Sequence, residues 1–351
     1  MLKTIAVLTG GGDCPGLNPA IKSVTQKALS MGLKVIGIRS GWQGLIDDLN
    51  PLHLDAKSVH HIDREGGTIL QSSRTNPFKM KDGPNAVIKR MHDLNIDALV
   101  AIGGEDTLGV AHRLYCDFKV PVVGIPKTID GDLSATDYCL GFESAVTVVT
   151  ESIDRLRSTA QSHERSFVVE VMGRHAGHLA LKSGISAGAD MILIPEYPFD
   201  LDQVVKLIIA RKNNTHPYSM IVIAEGARPA GSDISVTSKT TDSFGHIRLG
   251  GAGFHLSEYI ENHAHIDCRP LILGHLQRGG SPSAFDRRMG HHFGIVACEA
   301  LVAGKFGTMA SLSEGRITLK SLSEAVKELH VVDTKKYYDT ELYQAKSSLL
   351  S

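Results

Sequence analysis

Gly124-Ile125-Pro126-Lys127-Thr128-Ile129-Asp130-Gly131-Asp132 follows the apolar, β-branched segment Val120-Pro121-Val122-Val123. That segment reads as a buried strand, and the residues after it as the turn that leaves the strand. The turn carries one ammonium, one hydroxyl and two carboxylates. Asp130 and Asp132 alternate with Gly131, so an extended backbone would place both acids on one face. Loops at the carboxyl ends of parallel strands are where open α/β sheets bind ligands. The plainer reading is an acidic turn before a helix, with Asp132 as its N-cap. These residues alone leave both readings open.

Outward from this turn, strands and helices alternate. Toward the N-terminus the pattern gives strands at 4–8, 34–38 and 98–102, with helices at 18–31 and about 107–118. Toward the C-terminus it gives helices at 143–161, 176–186, 200–211 and 284–303. Strands are expected between them at 167–171, 191–194, 220–224 and 270–273. Such alternation implies mainly parallel sheets covered on both faces. The polar, Ser/Thr/Gly-rich stretch Gly231–Gly250 reads as a surface hairpin or insertion. In the tail, 322–329 looks helical and the last ten residues are expected to be mobile. The expectation is two Rossmann-like α/β lobes facing a cleft.

The chain has 351 residues, enough for two lobes with large cores. Its formal net charge is −1, so no global field favours nucleic acid or an anionic membrane. Five cysteines without a CxxC pair point to reduced thiols in a cytoplasmic protein, not to a disulfide framework or a zinc site. No apolar run approaches membrane-spanning length, and residues 1–8 lack the layout of a cleavable signal.

Gly10-Gly11-Gly12 follows a strand and precedes a helix, the arrangement that lets a backbone approach an anion. Asp13 and Pro15 interrupt any GxGxxG spacing, which disfavours a dinucleotide site. Gly103-Gly104-Glu105-Asp106-Thr107 is a second such turn. Acids there suit a helix start on capping grounds alone, or one of them could hold Mg2+ beside a phosphate. Arg74, Arg165, Arg174, Arg269 and Arg278 lie in polar loops near strand ends. Singly each reads as a surface residue; together they fit phosphoryl groups, whose oxygens match the guanidinium fork. The 17 histidines form no convincing metal set.

Six motifs in order resemble the 6-phosphofructokinase family. They are Gly11-Gly12-Asp13-Cys14-Pro15-Gly16-Leu17-Asn18, Gly103 to Thr107, Pro126 to Asp132, Met172-Gly173-Arg174, Ala224-Glu225-Gly226 and Leu273 to Gly280. The resemblance implies phosphoryl transfer to the 1-hydroxyl of fructose 6-phosphate. It implies Asp130 as general base, Thr128 orienting the hydroxyl, Asp132 supporting the metal and phosphate end, and Arg174 stabilising the transferring phosphoryl group. Gly11, Gly12 and Arg74 would hold donor phosphates, and Glu105 would bind Mg2+. Met172, Gly173 and Glu225 would contact the sugar. Arg165, Arg269, His275 and Arg278 would hold the substrate and its 6-phosphate. Arg165 and Arg269 would reach in from a neighbouring subunit, which implies a homodimer or homotetramer with shared sites. The implied lobes are 1–141 plus about 277–310 for the donor and 142–276 for the sugar phosphate, with 311–351 as a C-terminal extension.

Two departures from the common pattern of that family matter. Gly131 stands where Asn is usual, which is expected to loosen the turn. Asp106 stands where ATP-using members carry Gly, Lys127 stands where many carry Gly, and Asp with Lys resembles the pyrophosphate-dependent branch. A side chain at Asp106 would fill the room of an ATP α-phosphate and repel it, while Lys127 would add a cation for pyrophosphate. The alternatives are an ATP-dependent kinase of the same fold, an enzyme accepting sedoheptulose 7-phosphate, and a non-catalytic sugar-phosphate sensor. An NAD-dependent oxidoreductase lacks its fingerprint.

Overall fold

Apolar runs become the central strands of two sheets. The computed structural model describes residues 2–214, 216–231, 237–241, 247–249 and 251–349, with side chains outside 214, 237–241 and 247–249. The chain begins β1 (Thr4–Thr9), α1 (Leu17–Ser30), β2 (Lys34–Ile38), α2 (Trp42–Ile46) and β3 (Leu52–Leu54). It continues α3 (Gly83–Asp93), β4 (Ala98–Gly103), α4 (Glu105–Phe118), β5 (Val122–Pro126) and α5 (Phe142–His163). Then come β6 (Ser166–Val171), α6 (His178–Ser186), β7 (Met191–Leu193), α7 (Leu201–Asn214) and β8 (Met220–Ala224). Next are β9 (Thr237–Thr241), β10 (Ile247–Leu249), α8 (Ala252–Ala264), β11 (Cys268–Ile272) and α9 (Ala284–Val302). The last are β12 (Thr308–Ser313), β13 (Arg316–Ser321), α10 (Leu322–Ala325), α11 (Thr334–Tyr337), β14 (Tyr338–Asp339) and β15 (Gln344–Ala345).

Two compact units divide the chain. One holds Met1–Ile129, Leu133–Ser144 and Arg278–Leu329; the other holds Asp130–Asp132, Ala145–Gln277 and His330–Ser351. The first unit carries a seven-stranded sheet in the order β13-β12-β5-β4-β1-β2-β3. β12 through β2 pair parallel, and β3 and β13 add antiparallel edges. β1, β4 and β5 are buried at every residue, as strands covered on both faces must be. The second unit carries a parallel sheet in the order β11-β6-β8-β7. Its core centres on Val169, Ile192, Val222 and Ile260.

Residues 311–351, expected as one extension, divide between the units. The segment 311–329 completes β12, adds β13, and buries Leu322 in the first core. Only Leu322–Ala325 is helical there, shorter than the periodicity implied. The segment after it packs on the second unit. Ile192 of edge strand β7 donates its N–H to Tyr343 O at 2.7 Å, and its carbonyl accepts from Tyr338 Oη at 2.6 Å. Tyr343 is buried and Gln344–Ala345 pair as β15, so 342–346 are anchored where mobility was expected, while 347–349 are exposed and 350–351 lie outside the described residues. The expected hairpin at Gly231–Gly250 appears as the antiparallel pair β9–β10, and 232–236, 242–246 and 250 lie outside the described residues.

One buried carboxylate ties helix starts together in the first unit. Asp286 on α9 is fully buried and accepts from Tyr138 Oη (2.8 Å), Gly141 N–H (2.6 Å), Ser144 N–H (2.9 Å) and Ser144 Oγ (2.6 Å). Burial pushes its carboxyl above the ordinary range, and these donors pull it back. Asp286→Ala would leave several buried donors without an acceptor. A urea melt should show a loss of about 3 kcal/mol; a loss below about 0.5 kcal/mol would show that the network contributes little.

Candidate active site

Three adjacent parallel strands of the first unit end in the three turns that the sequence singled out. β1 leads to Gly10–Gly12, β4 to Gly103–Gly104, and β5 to Lys127. The first two turns close on Thr107. A Cβ at Gly10 would come within 2.5 Å of Thr107 Oγ1, and one at Gly103 within 2.3 Å of Thr107 Cβ. Glycine is therefore required at both positions by close approach. Thr107 lies in the first turn of α4, whose N-cap Gly104 has no side-chain cap. Glu105 there is exposed and Asp106 half-buried.

Lys127 is 4% exposed, and its Nζ donates to Gly12 O. Its backbone N–H donates to Gly103 O at 3.0 Å. One residue thus links the ends of all three strands. Gly11, at φ +79, donates its N–H to Ser73 O at 2.9 Å, and Ser72 Oγ donates to Gly11 O at 2.6 Å. These bonds bring the segment carrying Arg74 alongside the turn. The Gly11 amide is thereby occupied, so its contribution to an anion site is backbone room beside the Lys127 ammonium. Arg278 also lies here: its Nη1 is 2.7 Å from where a Gly12 Cβ would be. In the first unit, Arg278 therefore stands with the glycine turn expected to take donor phosphates, although its expected partner was the substrate. Cys14, inside the first motif, is buried, and burial pushes its thiol up to about 12. It is not a nucleophile at neutral pH.

The turn 128–132 crosses the division between the units after Ile129. Thr128, Asp130 and Asp132 are each half-buried. No helix follows Asp132 until Phe142, so the N-cap reading of that acid does not hold. Gly131 has φ +68. Gly and Asn are the residues that adopt this left-handed region most readily, so Gly131 meets the same backbone demand as the usual Asn.

In the second unit, β6 and β8 are parallel neighbours whose last residues, Val171 and Ala224, pair. Met172-Gly173-Arg174 and Glu225-Gly226 continue from them. Glu225 N–H donates to Val171 O (2.8 Å) and Gly226 N–H to Gly173 O (3.1 Å). A Cβ at Gly226 would lie 2.0 Å from Arg174 O, which explains that glycine by close approach. Gln277, fully buried, accepts from Met172 N–H at 3.1 Å through Oε1. Gln277 lies inside the motif Leu273–Gly280, and nothing local marks its role, because its partner is 105 residues away. His275 is exposed in the same segment.

Arg165 and Arg269 lie elsewhere in that unit. Arg165 precedes β6, and Arg269 is paired with Phe167 near the amino end of the strands. Asp267 lies between them, 2.6 Å from Arg165 Nε and 3.0 Å from Arg269 Nη2. Arg269 Nη1 is 3.4 Å from Glu261 Oε1. Six-residue β6 separates this pair from Arg174 by roughly 17 Å at about 3.3 Å per residue.

Among the described residues no group of three or more His, Cys, Asp or Glu forms a metal cage. An exposed carboxylate beside a glycine turn, as at Glu105, fits Mg2+, which keeps waters and takes phosphate ligands. Among the described residues no helix is long and apolar enough to cross a membrane.

Fold and placement are those of an α/β protein whose ligand-facing loops gather at strand carboxyl ends. The family model described as Phosphofructokinase matches residues 4–301. The chain is 48% identical over 341 residues to the pyrophosphate--fructose 6-phosphate 1-phosphotransferase of Amycolatopsis mediterranei (strain S699), covering 97% of this chain and 99% of the relative. It is 44% identical over 338 residues to ATP-dependent 6-phosphofructokinase 3 of Streptomyces coelicolor (strain ATCC BAA-471 / A3(2) / M145), covering 96% and 98%. The crystal structure of a pyrophosphate-dependent phosphofructokinase from Marinobacter aquaeolei shares the fold, with TM-score 0.85, 21% identity, and coverage of 99% of this chain and 89% of that one. The chain belongs to the phosphofructokinase family and is an enzyme of that family.

Asp130→Asn tests the turn directly. With the folded variant, kcat should fall about 10²–10⁴-fold while KM for the sugar phosphate stays within a few-fold. Turnover within a few-fold of wild type would remove Asp130 from the chemistry.

Proposed function

We propose that this enzyme transfers a phosphoryl group from pyrophosphate to the 1-hydroxyl of fructose 6-phosphate, giving fructose 1,6-bisphosphate and orthophosphate. The observation that carries the donor assignment is Lys127, whose ammonium is buried beneath the Gly11–Gly12 turn, next to a helix that opens on Asp106. A buried ammonium favours a compact, highly charged donor. The half-buried Asp106 carboxylate disfavours the further phosphate that a nucleotide would bring. The relative at 48% identity carries a pyrophosphate name, which supports this reading. The ATP-dependent reading is favoured by the relative at 44%, and the donor assay decides between them.

In the proposed reaction Asp130 accepts the proton of the 1-hydroxyl, and Thr128 orients that hydroxyl. The new O–P bond forms as the bridging P–O bond of pyrophosphate breaks. Arg174 offsets charge on the transferring group, and Asp132 supports the metal and phosphate end. Gly11, Gly12, Arg74 and Lys127 hold the donor. Met172, Gly173, Glu225 and His275 hold the sugar phosphate, and Arg278, whose guanidinium lies beside Gly12, neutralises phosphate charge from the glycine turn. Mg2+, held through Glu105, would neutralise charge on the phosphates. Positioning and charge neutralisation supply most of the acceleration in this class of reaction. The free cysteines favour a cytoplasmic setting.

We propose shared sites in a homodimer or homotetramer, a reading that the strand directions of the second sheet support. Arg165 and Arg269 lie at the strand ends opposite Arg174 and Glu225, so one chain does not bring them to one sugar phosphate. A neighbouring subunit's pair would complete each site. Mixing an Asp130→Asn chain with an Arg269→Ala chain should therefore restore part of the activity that each lacks alone. No recovery after demonstrated subunit exchange would argue for self-contained sites.

The donor assignment is tested by kcat/KM with each donor. The wild type should favour pyrophosphate over ATP. Asp106→Gly should weaken pyrophosphate use and open some ATP use, a change of about 1.5–3 kcal/mol in transition-state binding. A wild-type preference for ATP would move the enzyme to the ATP-dependent branch.

A further inference from the structure

The turn that carries Asp130 has a glycine at its centre, and its support comes from far along the chain. Residues 328–330 run beside it. Ser134 Oγ donates to Glu328 O at 2.7 Å, and Leu133 pairs antiparallel with Leu329. His330 then supplies two bonds at the turn itself. Its backbone N–H donates to Asp132 O at 2.8 Å, and its ring Nδ1 lies 3.3 Å from Gly131 O. A carbonyl only accepts, so Nδ1 carries the proton. The carbonyls on both sides of Asp132 are thus held by one residue.

The opposite side of this segment grips the loop that carries Arg174. His178 opens α6 just after that loop, and its ring stacks on the His330 ring, with centroids 4.5 Å apart and planes at 18°. His178 Nε2 donates to His330 O at 3.2 Å. Burial, the neighbouring His330 and Lys182 push the His178 imidazole down to about 4, so the stack carries no charge on this ring at neutral pH. Two residues further on, Val332 N–H donates to Glu196 Oε1 at 2.8 Å. The same oxygen accepts from Gly177 N–H at 2.8 Å. Residues 330–332 therefore join the turn bearing the proposed base to the loop bearing the proposed charge-stabilising arginine. All of these partners belong to the second unit.

We infer that His330 is a positioning residue for the catalytic turn. Its ring replaces the local rigidity that a side chain at position 131 would give, and it sets the Gly131–Asp132 peptide relative to Arg174. The inference rests on the phosphoryl-transfer reading for its kinetic consequence, but not for its structural one. Misplacing a reacting group by about 1 Å costs up to about a hundredfold in rate, with little effect on binding.

Two variants separate the hydrogen bond from the packing. His330→Phe keeps a ring to stack on His178 but has no donor. His330→Asn loses the stack but carries an amide that donates near the Nδ1 position. His330→Phe should lower kcat about ten- to hundredfold with KM for fructose 6-phosphate within about twofold. It should also speed amide exchange across residues 128–134 without lowering the thermal midpoint. His330→Asn should recover most of kcat and of the exchange protection. His330→Phe turning over at the wild-type rate with unchanged exchange, or His330→Asn as impaired as His330→Phe, would overturn the inference. If the wild type phosphorylates fructose 6-phosphate with neither donor, the functional reading fails. The exchange comparison then decides alone whether His330 holds the turn.

Discussion

A single buried residue organises the strand ends of the first unit. Lys127 leaves β5 almost wholly buried, and its Nζ ends on Gly12 O while its backbone bonds Gly103 O. Burying a cation is costly unless polar groups meet it. Here the Gly12 carbonyl meets the ammonium, and the Lys127 backbone bond to Gly103 O helps to fix where the second glycine turn lies. Gly10 and Gly103 must be bare for Thr107 to fit between them, and Lys127 draws the same turns together from below. Close approach and buried charge thus act on the same few atoms. An anion arriving at this face would complete the electrostatics that the fold begins.

Parallel strands make such a construction economical. Each strand end in a parallel sheet points its turn the same way, so side chains far apart in sequence meet without long loops. In the first unit β1, β4 and β5 deliver three motifs to one edge. In the second, β6 and β8 deliver Arg174 and Glu225, and Gln277 holds the Met172 amide in place. The same geometry sends Arg165 and Arg269 to the opposite edge, paired with Asp267. Strand direction, rather than sequence distance, decides which arginines can share a ligand.

This also explains what the sequence could and could not reveal. Apolar, β-branched runs such as Leu99 to Ile102 announce buried strands because parallel sheets bury both faces, so the α/β architecture was legible. The motif turns were legible because close approach demands glycine and anion chemistry demands charge within a few residues. The roles that depend on distant partners were not. Nothing local marks Gln277 as the acceptor for Met172, or Asp286 as the hub for Tyr138, Gly141 and Ser144. The tail read as one extension because its polar spacing is weak. Leu322, Tyr338 and Tyr343 are buried only because two separate cores receive them.

Gly131 shows why local reading misjudges rigidity. Taken alone, a glycine between two acids means a loose turn, since it gives up more backbone freedom on folding than any other residue. In the folded chain both neighbouring carbonyls have donors from His330, and Leu133 pairs with Leu329 beside them. The ordering is supplied by a segment some 199 residues away, whose own position depends on His178 and Glu196. A side chain at position 131 can stiffen only its own backbone. A strap can also set the turn against a second loop, here the one that carries Arg174. Flexibility in the sequence and order in the fold are therefore compatible here, because the constraint comes from tertiary bonds and not from residue type.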